Sequence, residues 1–370
     1  MNIKSTKNTP GQSKSPRIFY GWWIVITGAL TMAVVISPIF QGIGTFFVSF
    51  ERHFGWSRTV LSGAFSLSRM EGALLGPLEG VLIDRIGSRR CIIIGLSILA
   101  VGFMALSMTT GVANFYVYFL IVFTGAGIGG FMPIMAAINN WFVRRRTLAL
   151  AIGMAGGNLG GLLVPALAWL IVTLGWRSAA FLLGLLVLFL TIPLSKIVRN
   201  TPESYGLRPD GDPIDDDLNE QIEQGSDGDF TVKEALKTRA FWVITIAHSV
   251  SAMSSITITV HLIPALTDIG MSLQMAGVVV STFTFTGFIF QLFSGVIGDK
   301  FPKPPLIALF TAIQGVSMLV AATMSSTSGV FVFAVLFGMG FGGRIPVLMA
   351  IRGDYFGRKN FATIFGISQF

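Results

Sequence analysis

Charge is scarce in this sequence: Asp, Glu, Lys and Arg together make up 12% of its 370 residues, about half the share of an ordinary soluble domain. That argues against a water-soluble globule. Cys91 is the single cysteine, which excludes an internal disulfide and leaves it as a packing residue. No metal-ligand spacing and no nucleophile triad is present. The glycine-rich runs lie inside apolar stretches, not after a strand where a phosphate loop needs them. An enzyme reading therefore has no support, and neither metal nor cofactor is expected. The first 19 residues are polar and Lys-rich, the apolar run after them is longer than a signal peptide's, and no A-x-A-like cleavage site follows. The first apolar stretch is expected to stay in the protein.

What the chain has instead is hydrophobic length. Apolar residues fill 52% of the positions, and about 20 of them in a row suffice to cross a bilayer as a helix. Ten spans are predicted, at 20–48, 58–83, 91–110, 113–138, 147–174, 178–197, 240–265, 270–297, 304–324 and 330–351, with an eleventh opening near Phe361. Lipid offers no partner to bare N–H and C=O groups, and the runs lack the alternation of a barrel, so each span is a helix. The fold class is all-α and polytopic, with the lipid bilayer as its surroundings.

The net charge of +8 does not point to nucleic acid, because the basic residues alternate by loop. With the N-terminus in the cytoplasm, 21 of the 26 Lys and Arg residues fall inside, Arg352 among them; Arg52, Arg58 and Arg177 fall outside, and Arg69 and Arg344 lie within spans. This bias orients the chain in a cell (inner or plasma) membrane.

Residues 198–239 form the one long hydrophilic segment, and its acidic core starting at Asp210 reads as a flexible linker. Thr231 followed by Glu234 is a capping-box pattern that opens a short surface helix. The second half then repeats the first. Gly80-Val-Leu-Ile-Asp84-Arg85 matches Gly295-Val-Ile-Gly-Asp299-Lys300. Gly125-x-Gly127-x-Gly129-Gly130-x-x-Pro133 matches Gly338-x-Gly340-x-Gly342-Gly343-x-x-Pro346, and both run on to Ala-Ile at Ala137-Ile138 and Ala350-Ile351. Chance would not keep four glycines and a proline in register, so the chain holds a duplicated six-helix unit. The expected organisation is a cytoplasmic tail (1–19), an N-terminal six-helix bundle (20–197), a cytoplasmic linker (198–239) and an incomplete second bundle (240–370), truncated within span 11.

Gly80-x-Leu82-x-Asp84-Arg85-x-Gly87-x-Arg89-Arg90 resembles the signature loop between spans 2 and 3 of the major facilitator superfamily at every defining position. The glycines permit close helix approach, Asp84 can accept from a neighbouring helix N-terminus, and the arginines can pair with acidic groups. These residues, with Asp299 and Lys300, are the expected gate. Within the superfamily the chain resembles the monocarboxylate transporter and oxalate/formate antiporter branch. Tyr20-Gly-Trp-Trp23, Trp141-Phe142-x-Arg144-Arg145-Arg146, Gly153-x-x-Gly156-Gly157-x-x-Gly160-Gly161-x-x-x-Pro165 and Asp354-Tyr-Phe-Gly-Arg358 carry that likeness. It departs from the animal carriers at Gln291, where they have arginine in span 8, and in lacking their span-1 lysine. The resemblance implies a central cavity lined by spans 1, 4, 7 and 10.

A charge inside the membrane costs at least about 2.5–3.5 kcal/mol near the centre and needs a reason. Arg344 stands where the first copy has Phe131 while everything around it is kept; it is either a substrate cation or an arginine snorkelling to the inner surface. Arg69 lies near the midplane on a face with Ser62, Ser66, Ala73, Gly76 and Gly80 that is expected to point into protein. Arg69 either holds a carboxylate or makes a structural pair, and Glu71, some 200° around the helix, is not its partner. Gln291 and His261 join these two as candidate substrate contacts. Glu71 and His248 are candidates for proton coupling. The expected activity is secondary transport of a small organic anion, a mono- or dicarboxylate, by proton symport or exchange for a counter-anion. The alternatives are export of amphipathic cations, a membrane sensor, or an inactive remnant.

Overall fold

A computed structural model describes residues 18–36, 39, 42–211, 229–271, 273–323 and 326–368. Among these residues all regular structure is helical. Helix α1 (Gly21–Thr31) runs into a π turn at Met32–Ile36, and α2 (Ile43–Phe54) follows. The first predicted span is therefore assembled from separate helical pieces and extends six residues past its predicted end. Gly55, at φ 69°, stops α2 by returning its N–H to Glu51 O, a left-handed turn that glycine makes without strain.

Then come α3 (Arg58–Ile86), α4 (Ser88–Ser107) and α5 (Val112–Ala126), the last continuing through a π turn at Gly127–Phe131 into α6 (Met132–Trp141). Helix α7 (Arg146–Leu159) passes through a 3-10 turn into α8 (Val164–Ile197), and this run divides at Gly175, where φ 82° and ψ 156° leave helical geometry, so that α7 with the first part of α8 answers to the predicted span 147–174 and the rest of α8 to 178–197. After the linker, α9 (Val232–Lys237) leads to α10 (Arg239–Asp268), α11 (Leu273–Gly298), α12 (Lys303–Thr323), α13 (Thr327–Phe356) and α14 (Phe361–Ile367). Each of the ten predicted spans has its helix.

The sides of the bundle are apolar and open. Val172 is 83% and Phe189 74% exposed, as befits residues that meet lipid rather than water. One large core joins α1 to α8 and draws in Met349, Phe361 and Phe365 from the second half, while smaller cores form around Phe333 and Phe337 and around Phe241 and Phe356. Contact between the halves is thus concentrated at the end of the molecule that carries most of the basic loops, called here the basic end.

At α9 the expected capping box is complete: Thr231 N donates to Glu234 Oε2 at 2.8 Å and Glu234 N to Thr231 Oγ1 at 3.3 Å. The backbone hydrogen bond from Thr231 holds the Glu234 carboxyl below its ordinary range. This cap is fully present above an ordinary glutamate pKa of about 4.3 and is lost as pH falls through the lowered value. The protection factor of the Glu234 amide, referred to the intrinsic exchange rate at each pH, should fall across that acid window, and Glu234→Gln should abolish the dependence.

Candidate functional site

Two aspartates that occupy equivalent places in the repeat close the basic end. Asp84, near the end of α3, accepts from the N–H of Ala362 at 3.2 Å, the N–H of Thr363 at 2.8 Å and Thr363 Oγ1 at 2.5 Å. Asp299, just past α11, accepts from the N–H of Thr147 at 2.7 Å and of Leu148 at 3.1 Å. All the donors sit in the first turns of α14 and α7, where unpaired N–H groups and the helix dipole favour an anion. Asp84 and Asp299 are 215 residues apart, as are the two donor pairs, so the latch is built twice from one plan. Burial outweighs these bonds at Asp299 and raises its carboxyl above the ordinary range.

A second tie crosses the same end. Arg146, 3% exposed, donates to Asp354 at 2.6 Å, and Lys303 reaches the other oxygen of Asp354 at 2.5 Å. Asp354→Asn would leave Arg146 buried and facing Lys303 with no anion. Breaking one side of a buried pair costs about 3–5 kcal/mol, and the lower figure applies because the Asp354 side chain is 35% exposed. A clear fall in the unfolding midpoint of the purified protein is expected.

The linker adds to this closure where the sequence suggested a free tether. Asp210, at φ 60°, accepts from the N–H groups of Val143, Arg144 and Arg145 at 2.8–3.2 Å. Asp229 accepts from Arg358 N at 2.7 Å. The linker thus docks through its two flanks on the α6–α7 and α13–α14 turns, which are equivalent in the repeat; residues 212–228 lie outside the described ones. Arg358 ties the halves by donating to Asn140 O and Glu203, both at 2.8 Å. A cleft of about 510 Å³ lies among Asp84, Arg85, Asn140, Glu203, Asp229 and Arg358. It belongs to the latch and not to the membrane arginines. Among the described residues Arg85, Arg89, Arg90 and Lys300 form no ion pair; Arg89 enters only through its backbone N–H, which donates to Asn200.

The membrane arginines fare differently from one another. Arg344 is 3% exposed, and its Nε and Nη1 are buried with no hydrogen-bond partner among the described residues. It does not snorkel to the surface. Arg69 is exposed, its guanidinium 4.9 Å from the Phe65 ring centre. Of the small-residue face expected to pack, only Gly76 and Gly80 are buried, while Ser62, Ser66 and Ala73 are open like Arg69. The reason is that α14 covers only the lower part of that face, meeting it at these two glycines. Glu71 accepts from Thr124 Oγ1 at 2.6 Å, consistent with its facing away from Arg69. Gln291 is committed to α7, donating to Ala151 O and accepting from Asn158 Nδ2, each at 2.9 Å. His248 Nδ1 is buried with no hydrogen-bond partner among the described residues. His261 lies in α10 with its side chain outside the described ones.

One residue that the sequence reading counted with the cytoplasmic loops is not there. Arg352 is inside α13 and 1% exposed, donating to Ser368 Oγ at 2.9 Å and Leu348 O at 2.8 Å. The signal was available: carried one residue past Ile138 and Ile351, the repeat sets Arg352 opposite Asn139.

Residues 29–370 match the family model of the Major Facilitator Superfamily. Monocarboxylate transporter 13 of Bos taurus is 23% identical over 353 residues, a match covering 94% of this chain and 79% of that protein. Monocarboxylate transporter 2 of Homo sapiens is 23% identical over 362 residues, covering 94% and 76%. Among solved structures, the superfamily transporter FucP in the outward conformation matches with a TM-score of 0.71 at 12% identity, covering 95% of this chain and 89% of that one. The proton:xylose symporter XylE, bound to 6-bromo-6-deoxy-D-glucose, matches at 0.70 and 15%, covering 94% and 86%. At such identities the structural likeness speaks for the fold.

Proposed function

The chain belongs to the major facilitator superfamily, a multi-pass membrane transporter of that type, and from this premise we propose that it carries a small organic anion by alternating access. The observation that carries the reading is Arg344, a guanidinium in the membrane interior with donors left unpaired among the described residues, on a helix that keeps the glycines and the proline of its counterpart in the first half. A buried cation without a counter-ion is costly, and a substrate carboxylate is the partner that would offset the cost through charge-assisted bonds. Arg69, exposed on α3, would meet the anion on its way in. Gln291 and His261 are its proposed neighbours, and Glu71 and His248 the proposed proton carriers.

The positive-inside bias would make the basic end cytoplasmic, with 1–19 as tail, 20–197 and 240–370 as the rocking units, and 198–239 as the linker between them. The doubled latch then closes the cytoplasmic side, and the site opens outward. Likeness to monocarboxylate transporters supports a carboxylate over a sugar. The test is uptake of labelled butyrate and succinate into proteoliposomes. Competition by unlabelled carboxylates and not by lipophilic cations is expected; the reverse pattern would replace this reading with cation export.

A further inference from the structure

Arg344 is not the only unsatisfied cation on its helix. Arg352 is 1% exposed, and although Nε and Nη1 are bonded, its Nη2 is buried with no hydrogen-bond partner among the described residues. Eight residues separate the two arginines, a rise of about 12 Å at 1.5 Å per residue. The bond from Arg352 Nη1 to Leu348 O shows that this side chain reaches back a full turn toward Arg344.

Among the described residues no carboxylate is paired with either arginine. Among the described residues α10 to α13 carry no acid except Asp268 and Asp354 at helix ends, and Asp354 is occupied by Arg146 and Lys303. In the other half, Glu71 accepts from Thr124 and Glu79 lies against Gly127. Among the described residues neither positive charge is met by an anion; Arg352 has its two hydrogen bonds and the Phe365 ring, 5.4 Å from its guanidinium, and a charge left without a counter-ion in the interior is costly. Both are departures from the internal copy, replacing Phe131 and Asn139 where the glycines, the proline and the Ala-Ile pair of the repeat are kept.

Resting on the anion reading above, we propose that Arg344 and Arg352 form one divalent site, and that the substrate is a dicarboxylate whose two carboxylates are separated by a short carbon chain. A monocarboxylate would neutralise one guanidinium and leave the other exposed to the same desolvation. A dianion with its charges on one pair of adjacent carbons could not reach between two groups set a turn or more apart. Arg352 is then a specificity-determining residue, acting on the second carboxylate through Nη2.

The test compares succinate with butyrate, which has the same chain length and one carboxylate, for binding to the purified full chain and for uptake into proteoliposomes. Wild type should prefer succinate by at least tenfold, the worth of one charge-assisted hydrogen bond. R352Q should lose that preference by weakening succinate alone, R352K should keep part of it, and R344Q should weaken both ligands. S368A removes the tie to α14 without touching Nη2 and should keep the preference; if it behaves like R352Q, Arg352 is a structural tie and the proposal fails. Butyrate binding as well as succinate to wild type would overturn the dianion assignment and leave the anion reading standing. Binding of neither would sink both.

Discussion

Arg344→Gln is expected to lower carboxylate transport by about 100-fold while making the protein more stable. The first part follows from the bonds lost: a bidentate guanidinium–carboxylate pair contains two charge-assisted hydrogen bonds, each contributing about 1.5–3 kcal/mol, and about 3 kcal/mol is a factor of about 100 in affinity. The second follows from burial. With Nε and Nη1 unpartnered, the empty protein bears a desolvation cost of order 2.5–3.5 kcal/mol for a charge at this depth, which a neutral amide of similar shape relieves in part. Arg344→Lys keeps the charge but not the planar fork, and a loss nearer tenfold is expected. Uptake together with the unfolding midpoint in detergent reads both effects. Transport unchanged in the glutamine variant removes Arg344 from the site, and a destabilised variant shows the arginine to be structural.

Gly80→Val and Gly295→Val are expected to prevent closure of the basic end, with the larger effect at Gly80. A Cβ at Gly80 would collide with the backbone of Ala362 and lie 2.6 Å from Thr363 Cα; at Gly295 it would lie 2.6 Å from Ala151 Cβ and 3.2 Å from Leu148 Cα. Main chain of a packed helix cannot give way as a side-chain tip can, and overpacking costs about 1–3 kcal/mol or more. At the upper figure the closed state is depleted about 100-fold. The same glycines bring Asp84 and Asp299 within reach of α14 and α7, so the latch is lost with the packing. Cys91, 0% exposed, gives a silent background for thiol labelling. Reaction of Ala136→Cys, which lines the cleft, should rise sharply in the Gly80 variant and less in the Gly295 variant. Equal protection in all three proteins would show that the seam does not govern access.

Spans and latch were legible because lipid and repetition constrain them tightly. Uncharged length yields helices wherever it occurs, and the Gly80–Asp84 and Gly295–Asp299 pairs show in the sequence alone that one contact is made twice. Gly175 is a different case. Its left-handed turn between two apolar runs was implied by the break predicted near 174–178, yet helix nearly resumes across it. Arg344 stands out in the sequence by its divergence from Phe131. Arg352 was missed because proximity to loop cations was weighed above its register with Asn139; charge counting along a chain does not tell an arginine at a surface from one a turn inside it. Asp210 was read by composition as part of a flexible stretch, and its docking depends on three backbone N–H groups that no side-chain pattern announces. Gln291 was chosen for its alignment with an arginine in animal carriers, whereas its amide here is taken up by Ala151 and Asn158, partners supplied by the fold.

The doubled latch has a consequence for how this chain tolerates mutation. Its acceptors are two side chains, but four of its five donor groups are backbone N–H groups, which every residue except proline supplies. The information that specifies the contact therefore sits almost wholly in Asp84 and Asp299. At Thr147, Leu148 and Ala362 the side chain is constrained by the space beside the facing glycines, and only Thr363 adds a donor of its own, the hydroxyl that meets Asp84. A saturation scan should find the aspartates intolerant of nearly any change. The four receiving positions should accept small residues of any polarity and reject proline along with bulk.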